Sequence, residues 1–206
     1  MSAILKYLVL AALGLTLGGA SALWLGGILP NSPRAGNTIN VQGWQSDWSI
    51  GSESADPYVR ARVARNGLLA LRKEEAVYFI AMTDDDGGRL RETCTYLVSG
   101  GAMPAKWWSI TLYDADSRLP MNEDRRLSFD QTMARALFED QGARWSFQIS
   151  QTRPQDDSIA WVSSRAAASF DVMLRLYQPS AAILSDPQAE LAPPSIKRLA
   201  CASGAN

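Results

Sequence analysis

The chain begins with a long apolar segment. Between Tyr7 and Leu29 there is no charged residue, and leucine, alanine and glycine dominate. A helix over this segment would span about 34 Å at roughly 1.5 Å per residue, whereas the hydrocarbon core of a bilayer is about 30 Å thick. We therefore predict one transmembrane helix at residues 7–29, preceded by a short end at residues 1–6 and followed by a polar linker at residues 30–42.

The same segment allows a second interpretation, a cleaved secretory signal. Ala20-Ser21-Ala22 has the small side chains of a cleavage site, but cleavage there would leave an apolar terminus starting at Leu23. An uncleaved anchor is favoured for this reason. In both interpretations Lys6 marks the cytoplasmic side. We expect a single-pass protein of the bacterial inner membrane, with its N-terminus in the cytoplasm and a domain at residues 43–206 in the periplasm.

The pattern after the linker is that of short β-strands rich in aromatic and β-branched residues. We predict six of them: Ala76–Met82, Glu92–Ser99, Trp107–Tyr113, Arg144–Ser150, Ile159–Ser163 and Ser169–Tyr177. The first is almost entirely apolar, which indicates a strand buried on both faces. The sequence Asp84-Asp85-Asp86-Gly87-Gly88 is typical of a solvated turn and predicts that the first two strands form a hairpin.

Two short helices are predicted in addition to the strands. The first covers Pro57–Asn66, with Asp56 as its N-cap. The second covers Phe129–Asp140, where Ser128 and Gln131 are spaced as a capping box. Because helices do not alternate with strands, a parallel α/β sheet is disfavoured. The predicted fold is mainly β: an antiparallel, jelly-roll-like β-sandwich with one or two short helices, preceded by the transmembrane helix.

The composition removes several classes of function. The 206 residues include no histidine, which excludes Ser-His-Asp and Cys-His catalytic systems and histidine-based zinc sites. The 20 Lys and Arg against 21 Asp and Glu give a net charge of -1. This balance supplies no basic surface for nucleic acid, so no nucleic-acid partner is expected.

Several sequence blocks, taken in order, resemble a known bacterial family. They are KEEAVYF at Lys73–Phe79, WWSITLYD at Trp107–Asp114 with Asn122 following, FDVMLRLY at Phe170–Tyr177, and PPSI at Pro193–Ile196. Together they resemble the family catalogued as domain of unknown function 1214, in a small, membrane-anchored, single-domain form. The resemblance covers roughly Asp56 to Cys201. It implies a jelly-roll-like β-sandwich and little about chemistry.

Carboxylates are the remaining candidates for catalysis. Glu74 and Glu75 precede a predicted strand, and Asp114 and Asp116 follow another. Adjacent strand residues point to opposite faces, so Glu74 and Glu75 do not form a pair with each other. One of them could act with Asp114 or Asp116, because glycosidase chemistry requires two carboxyl groups about 5–10 Å apart. The alternative is that these groups are solvated or ion-paired strand ends.

Aromatic and basic residues suggest a binding surface. Trp107 and Trp108 place one indole on each face of a strand, so one should fill the core and the other could stack against a sugar ring. Alternation in the last predicted strand puts Arg175 and Tyr177 on one side, where an Arg beside a Tyr could hold a carboxylate or phosphate. The alternative for Arg175 is a structural ion pair with Glu74 or Glu75.

Cys94 and Cys201 are the two cysteines of the chain. In an oxidising compartment they are expected to form a disulfide that ties the C-terminal segment, including Ile196–Ala200, to the sandwich. Cys94 should be buried together with Tyr96 and Val98. The run Asp84–Asp86 lacks the ligand spacing of an EF-hand, so no metal site is predicted, and no cofactor is expected.

The function favoured by these observations is non-catalytic. We expect a membrane-anchored domain that binds an envelope glycan or an envelope protein. One alternative is a carboxylate-dependent enzyme acting on glycans. Another is a structural or assembly subunit, because Gly14 and Gly18 have the small-xxx-small spacing that permits close helix contact in membranes.

Overall fold

The computed structural model describes residues 3–25, 37–52, 55–65, 71–138 and 143–202. The end of the predicted membrane segment and most of the predicted linker fall in residues 26–36, outside the described residues. The chain divides into two compact units. One comprises Met1–Thr38 and Asp47–Leu71, and the other comprises Ile39–Ser46 and Arg72–Asn206.

The first unit contains two helices. Helix α1, Ala3–Leu25, has no buried residue, and its mean hydropathy of 1.9 and its length are sufficient to cross a membrane. A signal sequence near the N-terminus has the same properties. Helix α2, Pro57–Arg65, begins where the sequence predicts, with the Tyr58 backbone N–H donating to Asp56 Oδ1 at 2.8 Å. The predicted end of α2, Asn66, lies outside the described residues.

The second unit holds ten strands and three short helices. The strands are β1 (Thr38–Val41), β2 (Trp44–Asp47), β3 (Ala76–Ala81), β4 (Cys94–Gly101), β5 (Ala105–Asp114), β6 (Ser128–Asp130), β7 (Arg144–Ser150), β8 (Trp161–Ser163), β9 (Phe170–Pro179) and β10 (Ser195–Cys201), where β1 and β2 each share one end residue with the first unit. The helices are α3 (Gln131–Leu137), α4 (Ala181–Ser185) and α5 (Pro187–Glu190).

The strands form two sheets. The larger has the order β1-β2-β3-β9-β5-β6 and the smaller has the order β10-β4-β7-β8. All six predicted strands are present. Strand β1 starts at Thr38, inside the predicted linker, so the sheet begins earlier than the predicted boundary at residue 43.

An aromatic cluster between the sheets forms the centre of the core. Trp108 of β5 lies 4.6 Å from Trp145 of β7, and Phe129 of β6 lies 4.7 Å from Phe147 of β7, measured between ring centroids. Tyr96 of β4 meets Phe170 of β9 edge to face at 5.8 Å. Each of these contacts joins the larger sheet to the smaller one. The structure is therefore a β-sandwich, as the sequence pattern predicts.

The predicted hairpin between the first two sequence-predicted strands is wrong. Strand β3 pairs with β2 and β9 in the larger sheet, whereas β4 pairs with β7 and β10 in the smaller one. The chain does turn back between them, because Leu90 N–H donates to the Met82 carbonyl at 3.1 Å. The turn thus carries the chain from one layer of the sandwich to the other.

Two further elements differ from the predictions. Helix α3 runs from Gln131 to Leu137, shorter than the predicted Phe129–Asp140, because the residues before it form β6 along β5. Its N-cap is Asp130, which accepts from Met133 N–H at 2.9 Å, and not Ser128. In the smaller sheet β8 runs parallel to β7, because the intervening loop carries the chain back to the level of Gln148 before β8 begins beside the last three residues of β7.

The acidic turn after β3 is a structural clamp. The Asp84 side chain is 1% exposed and lies 3.3 Å from Arg198 Nε, so the prediction of a fully solvated turn is wrong here. Asp84 Oδ1 accepts from Gly88 N–H at 2.7 Å. Asp85 Oδ1 accepts from Ile196 N–H at 2.8 Å, and the Ile196 carbonyl accepts from Asp85 N–H at 3.0 Å. The turn therefore holds the start of β10.

The predicted disulfide is present and holds the other end of β10. Cys94 and Cys201 lie directly opposite each other on β4 and β10, with their Cα atoms 3.9 Å apart and their sulfur atoms bonded. Cys94, Tyr96 and Val98 are all buried, as alternation along the strand predicts. The C-terminal strand is thus fixed at both of its ends.

Gly100 is required by a close approach between β4 and β7. A Cβ atom added there would lie 2.4 Å from Cζ2 of Trp145, the residue opposite it on β7. We expect Gly100→Ala to lower the free energy of unfolding by about 1–3 kcal/mol, the usual cost of overpacking a core. Gly101→Ala is the matched control, since a Cβ there meets the Ala143 carbonyl oxygen at an ordinary 3.5 Å. Urea denaturation followed by far-UV circular dichroism measures both. Equal effects at the two glycines would contradict this packing.

Candidate functional site

The candidate site is the outer face of the larger sheet, defined by five side chains that point away from the core. They are Tyr78 on β3, Arg175 and Tyr177 on β9, and Trp107 and Tyr113 on β5. Alternation along each strand explains their direction, because their neighbours Phe79, Trp108, Leu112, Leu174 and Leu176 are buried. The outer face therefore collects four aromatic rings and one guanidinium group.

The strand register brings these side chains into rows. Tyr78 lies opposite Arg175, which lies opposite Ser109 on the next strand. Tyr177 lies opposite Trp107. Because the rows are two residues apart, the aromatic pair and the arginine are neighbours about 7 Å apart along the strands.

Trp107 is the outward indole of the tryptophan pair. It is 36% exposed, whereas Trp108 is 2% exposed and packs in the aromatic core. The Trp107 and Tyr177 rings lie 5.2 Å apart, and Trp107 Nε1 donates to Thr132 Oγ1 at 3.3 Å. The prediction that one indole fills the core and the other faces out is confirmed. A binding role for Trp108 is excluded by its burial.

Arg175 does not form the ion pair considered in the sequence analysis. Its Nη2 donates to the Tyr113 hydroxyl, and its Cζ lies 5.5 Å from the centre of the Tyr113 ring. Glu75 instead accepts from Arg72 N–H at 3.0 Å. Within the described ranges, no carboxylate lies within ion-pair distance of Arg175.

Two further carboxylates on the strands around Arg175 have other partners. Asp171 Oδ1 accepts from Arg89 Nη2 at 2.7 Å. Asp130, opposite Ser109, caps helix α3. The positive charge of Arg175 is therefore not neutralised by the strands that surround it.

The pKa of Tyr78 depends on its burial and on its neighbours Tyr177 and Arg175. Burial raises the pKa of the Tyr78 phenol above its ordinary value, the Tyr177 phenol raises that pKa further, and the Arg175 charge opposes both effects. The Tyr78 hydroxyl is consequently protonated at neutral pH and available to donate a hydrogen bond. Two phenols and a guanidinium thus share one small area.

Short side chains lie between the large ones. Ser109 is 6% and Thr111 is 8% exposed on the same face of β5, between Trp107 and Tyr113. Ser109 lies opposite Arg175. Their low exposure on an outward face means that the larger side chains around them cover both hydroxyls.

The candidate catalytic carboxylates are not brought together. Glu74 and Glu75 come just before Ala76 of β3. Ala76 lies opposite Tyr177 of β9, which in turn lies opposite Trp107 near the start of β5. Asp114 is aligned with Phe170 at the other end of β5. Seven strand residues separate the two levels, which corresponds to about 23 Å. Pairing of Glu74 or Glu75 with Asp114 or Asp116 is therefore wrong, because glycosidase chemistry needs about 5–10 Å.

The local contacts of Asp114 are those of a turn. Its Oδ1 accepts from Asp116 N–H at 3.0 Å and from Arg118 N–H at 2.8 Å, and Asp116 is exposed. Across the described part of the chain, no three His, Cys, Asp or Glu side chains are close enough together to hold a metal ion.

Sequence reasoning missed Tyr78 and Tyr113. The signal was available in the alternation of both strands, since Tyr78 lies between buried Val77 and Phe79. What the sequence did not contain was the register that aligns Tyr78 with Arg175. That alignment depends on two strands almost one hundred residues apart.

Comparison with known proteins supports the family and the fold. The family model described as Protein of unknown function (DUF1214) matches residues 75–181. The VPA0106 protein from Vibrio parahaemolyticus is similar in structure with a TM-score of 0.62 and 20% identity, covering 97% of this chain and 46% of that one. A putative uncharacterized protein from Burkholderia cenocepacia has a TM-score of 0.40 and 10% identity, covering 60% of this chain and 29% of that one. The chain thus spans about half the length of the Vibrio protein. No curated protein matches the sequence.

Proposed function

Because this chain belongs to the family described as Protein of unknown function (DUF1214), whose description names no activity, we propose its function from the outer face of the larger sheet. The chain is a membrane-anchored cell-envelope protein whose β-sandwich binds an envelope component, a glycan or a partner protein, without catalysis. The matched residues 75–181 include all five side chains that define the outer face.

One observation carries the binding proposal. The Arg175 guanidinium has no carboxylate partner among the described residues and lies on the same face as Trp107, which is 36% exposed. A half-buried charge without a counter-ion is costly for folding alone. Exposed aromatic surface is typical of interaction sites. Both features are accounted for when the outer face has a ligand.

The location in the envelope rests on two separate features. Helix α1 is long and apolar enough to span a membrane. The Cys94–Cys201 disulfide is a bond that persists in oxidising compartments such as the periplasm. The charge of Lys6 before the apolar segment favours a cytoplasmic N-terminus. The sandwich then lies on the periplasmic side.

The orientation is testable directly. An alkaline phosphatase fused after Asn206 should be active, because this enzyme folds only where disulfides form. Terminal sequencing of the purified protein should find Met1 or Ser2. A mature terminus at Leu23 would contradict the anchor while leaving export intact, and an inactive fusion would contradict the periplasmic location.

The binding proposal is tested by retention on the envelope. The protein is solubilised in mild detergent and mixed with a detergent-washed envelope fraction, and the bound share is measured after sedimentation. Trp107→Ala should lose most of the retention without losing its fold, because the indole is on the outer face. Ser146→Ala on β7 is the control, since Ser146 lies between buried Trp145 and Phe147 and so faces outward on the other sheet. Equal retention of both variants would refute the proposal.

A further inference from the structure

We propose that the ligand of the outer face is a glycan bearing carboxylates, such as a uronic-acid polysaccharide, with Arg175 binding a carboxylate and Trp107 and Tyr177 stacking on another sugar ring of the same chain. This inference rests on the proposed function and specifies its ligand. It is carried by charge complementarity and by the placement of the side chains on β5 and β9.

The guanidinium of Arg175 has the N–H donors needed to bind an oxygen anion. Arginine has five N–H donors, and the described hydrogen bonds of Arg175 use one of them, from Nη2 to the Tyr113 hydroxyl. That contact fixes the plane of the group, since Cζ also lies 5.5 Å from the Tyr113 ring centre. A planar carboxylate can accept two parallel hydrogen bonds from such a fixed guanidinium. The phenol of Tyr78, opposite Arg175, offers a further donor.

The aromatic pair lies further along the same strands than the arginine. Trp107 and Tyr177 are opposite each other, two residues along β5 and β9 from Ser109 and Arg175. The guanidinium extends away from this pair, because its Nη2 donates to the hydroxyl of Tyr113, four residues beyond Ser109 on β5. Since the backbone spacing of the two rows is already about 7 Å, the stacked ring and the carboxylate belong to successive sugar units of one chain.

The charge of the site selects a carboxylate over a phosphate monoester. A phosphate monoester carries about −1.5 to −2 charges at pH 7, whereas the outer face offers one uncompensated positive charge. A uronate carries one negative charge and is balanced by Arg175 alone.

The test uses pairs of ligands that differ in charge alone. The full-length protein in detergent is titrated by calorimetry with oligomers of galacturonate, glucuronate and mannuronate, each beside its methyl ester. At least one acid should bind, and its ester should bind about 10–100-fold more weakly, the effect of losing a charge-assisted hydrogen-bonded pair. Arg175→Gln should weaken the acid by the same factor and leave the ester unchanged. Trp107→Ala should weaken both.

Two controls separate a site effect from a general one. Arg153→Gln removes an exposed arginine that pairs with Asp157 in the loop before β8, and it should leave every affinity unchanged. Arg175→Lys keeps the charge but removes the planar donor pair, so its affinity for the acid should fall between those of wild type and Arg175→Gln.

The outcomes distinguish this inference from the proposed function. If an acid and its ester bind with equal affinity, the site does not recognise the carboxylate and this inference is wrong. The outer face would then still be a glycan-binding site. If no oligomer binds but Trp107→Ala still loses retention on the envelope, the ligand class is wrong and the proposed function stands. If neither is observed, both are refuted.

Discussion

Replacing Trp108 with alanine is expected to lower the free energy of unfolding by about 3–5 kcal/mol, the cost of removing a large aromatic side chain from a core. Its indole is 2% exposed and lies 4.6 Å from Trp145 and 6.0 Å from Phe129, between ring centroids. No smaller side chain can maintain both contacts, of which the one to Trp145 joins the two sheets. Domains of this size have a total stability of about 5–15 kcal/mol, so the variant should be close to its unfolding threshold.

The neighbouring residue is the matched control. Trp107→Ala removes an indole of the same size from the same strand, but this indole is 36% exposed and outside the core. We expect its cost to stay near 1 kcal/mol, from the loss of the Tyr177 ring contact. Urea denaturation of the detergent-solubilised protein, followed by far-UV circular dichroism, compares the two. Similar large losses at both positions would show that Trp107 is a core residue and not part of a site.

Removing the disulfide should have an effect of comparable size. The bridge joins residues 107 positions apart. In the chain-entropy model, closing a loop of this length stabilises the folded state by about 4–5 kcal/mol, the upper end of the usual range. The double variant Cys94→Ala/Cys201→Ala is therefore expected to have its urea midpoint strongly lowered. Thiol counting in denaturant without reductant should find no free thiol in wild-type protein.

The loss of stability in the double variant should be greatest at the C-terminal end of β10. Ile196 is the one buried residue of β10, and the Asp85 clamp holds this start of the strand without the bridge. The far end, from Leu199 to Cys201, is exposed and depends on the disulfide. Trypsin should therefore cleave after Arg198 faster in the double variant under native conditions. Unchanged cleavage together with an unchanged urea midpoint would contradict a stabilising role for the bridge.

The sequence predicted local structure well because a strand can be recognised from the pattern of a few neighbouring residues. Alternation and β-branched composition located β3, β4, β5, β7, β8 and β9, and alternation also placed Cys94 inside. These features depend on neighbours along the chain. The acidic turn after β3 was recognised for the same reason.

The errors share a different cause, which is pairing between distant segments. The turn at Asp84 was assigned to a hairpin, but its carboxylate is buried against Arg198 at the far end of the sequence. Arg175 was considered a partner of Glu74 or Glu75, but the register places it between Tyr78 and Ser109. Which tryptophan of the pair faces the core was likewise open until the sheet order was known. No local pattern contains this information.

We infer that the outer face of the larger sheet contacts the envelope ligand of this protein. Photo-crosslinking in living cells tests this directly, with a benzophenone amino acid at position 107, and at position 146 on the other sheet for comparison. We expect a crosslinked adduct of discrete mass from position 107 and none from position 146. No adduct from position 107, or the same adducts from both positions, would contradict it.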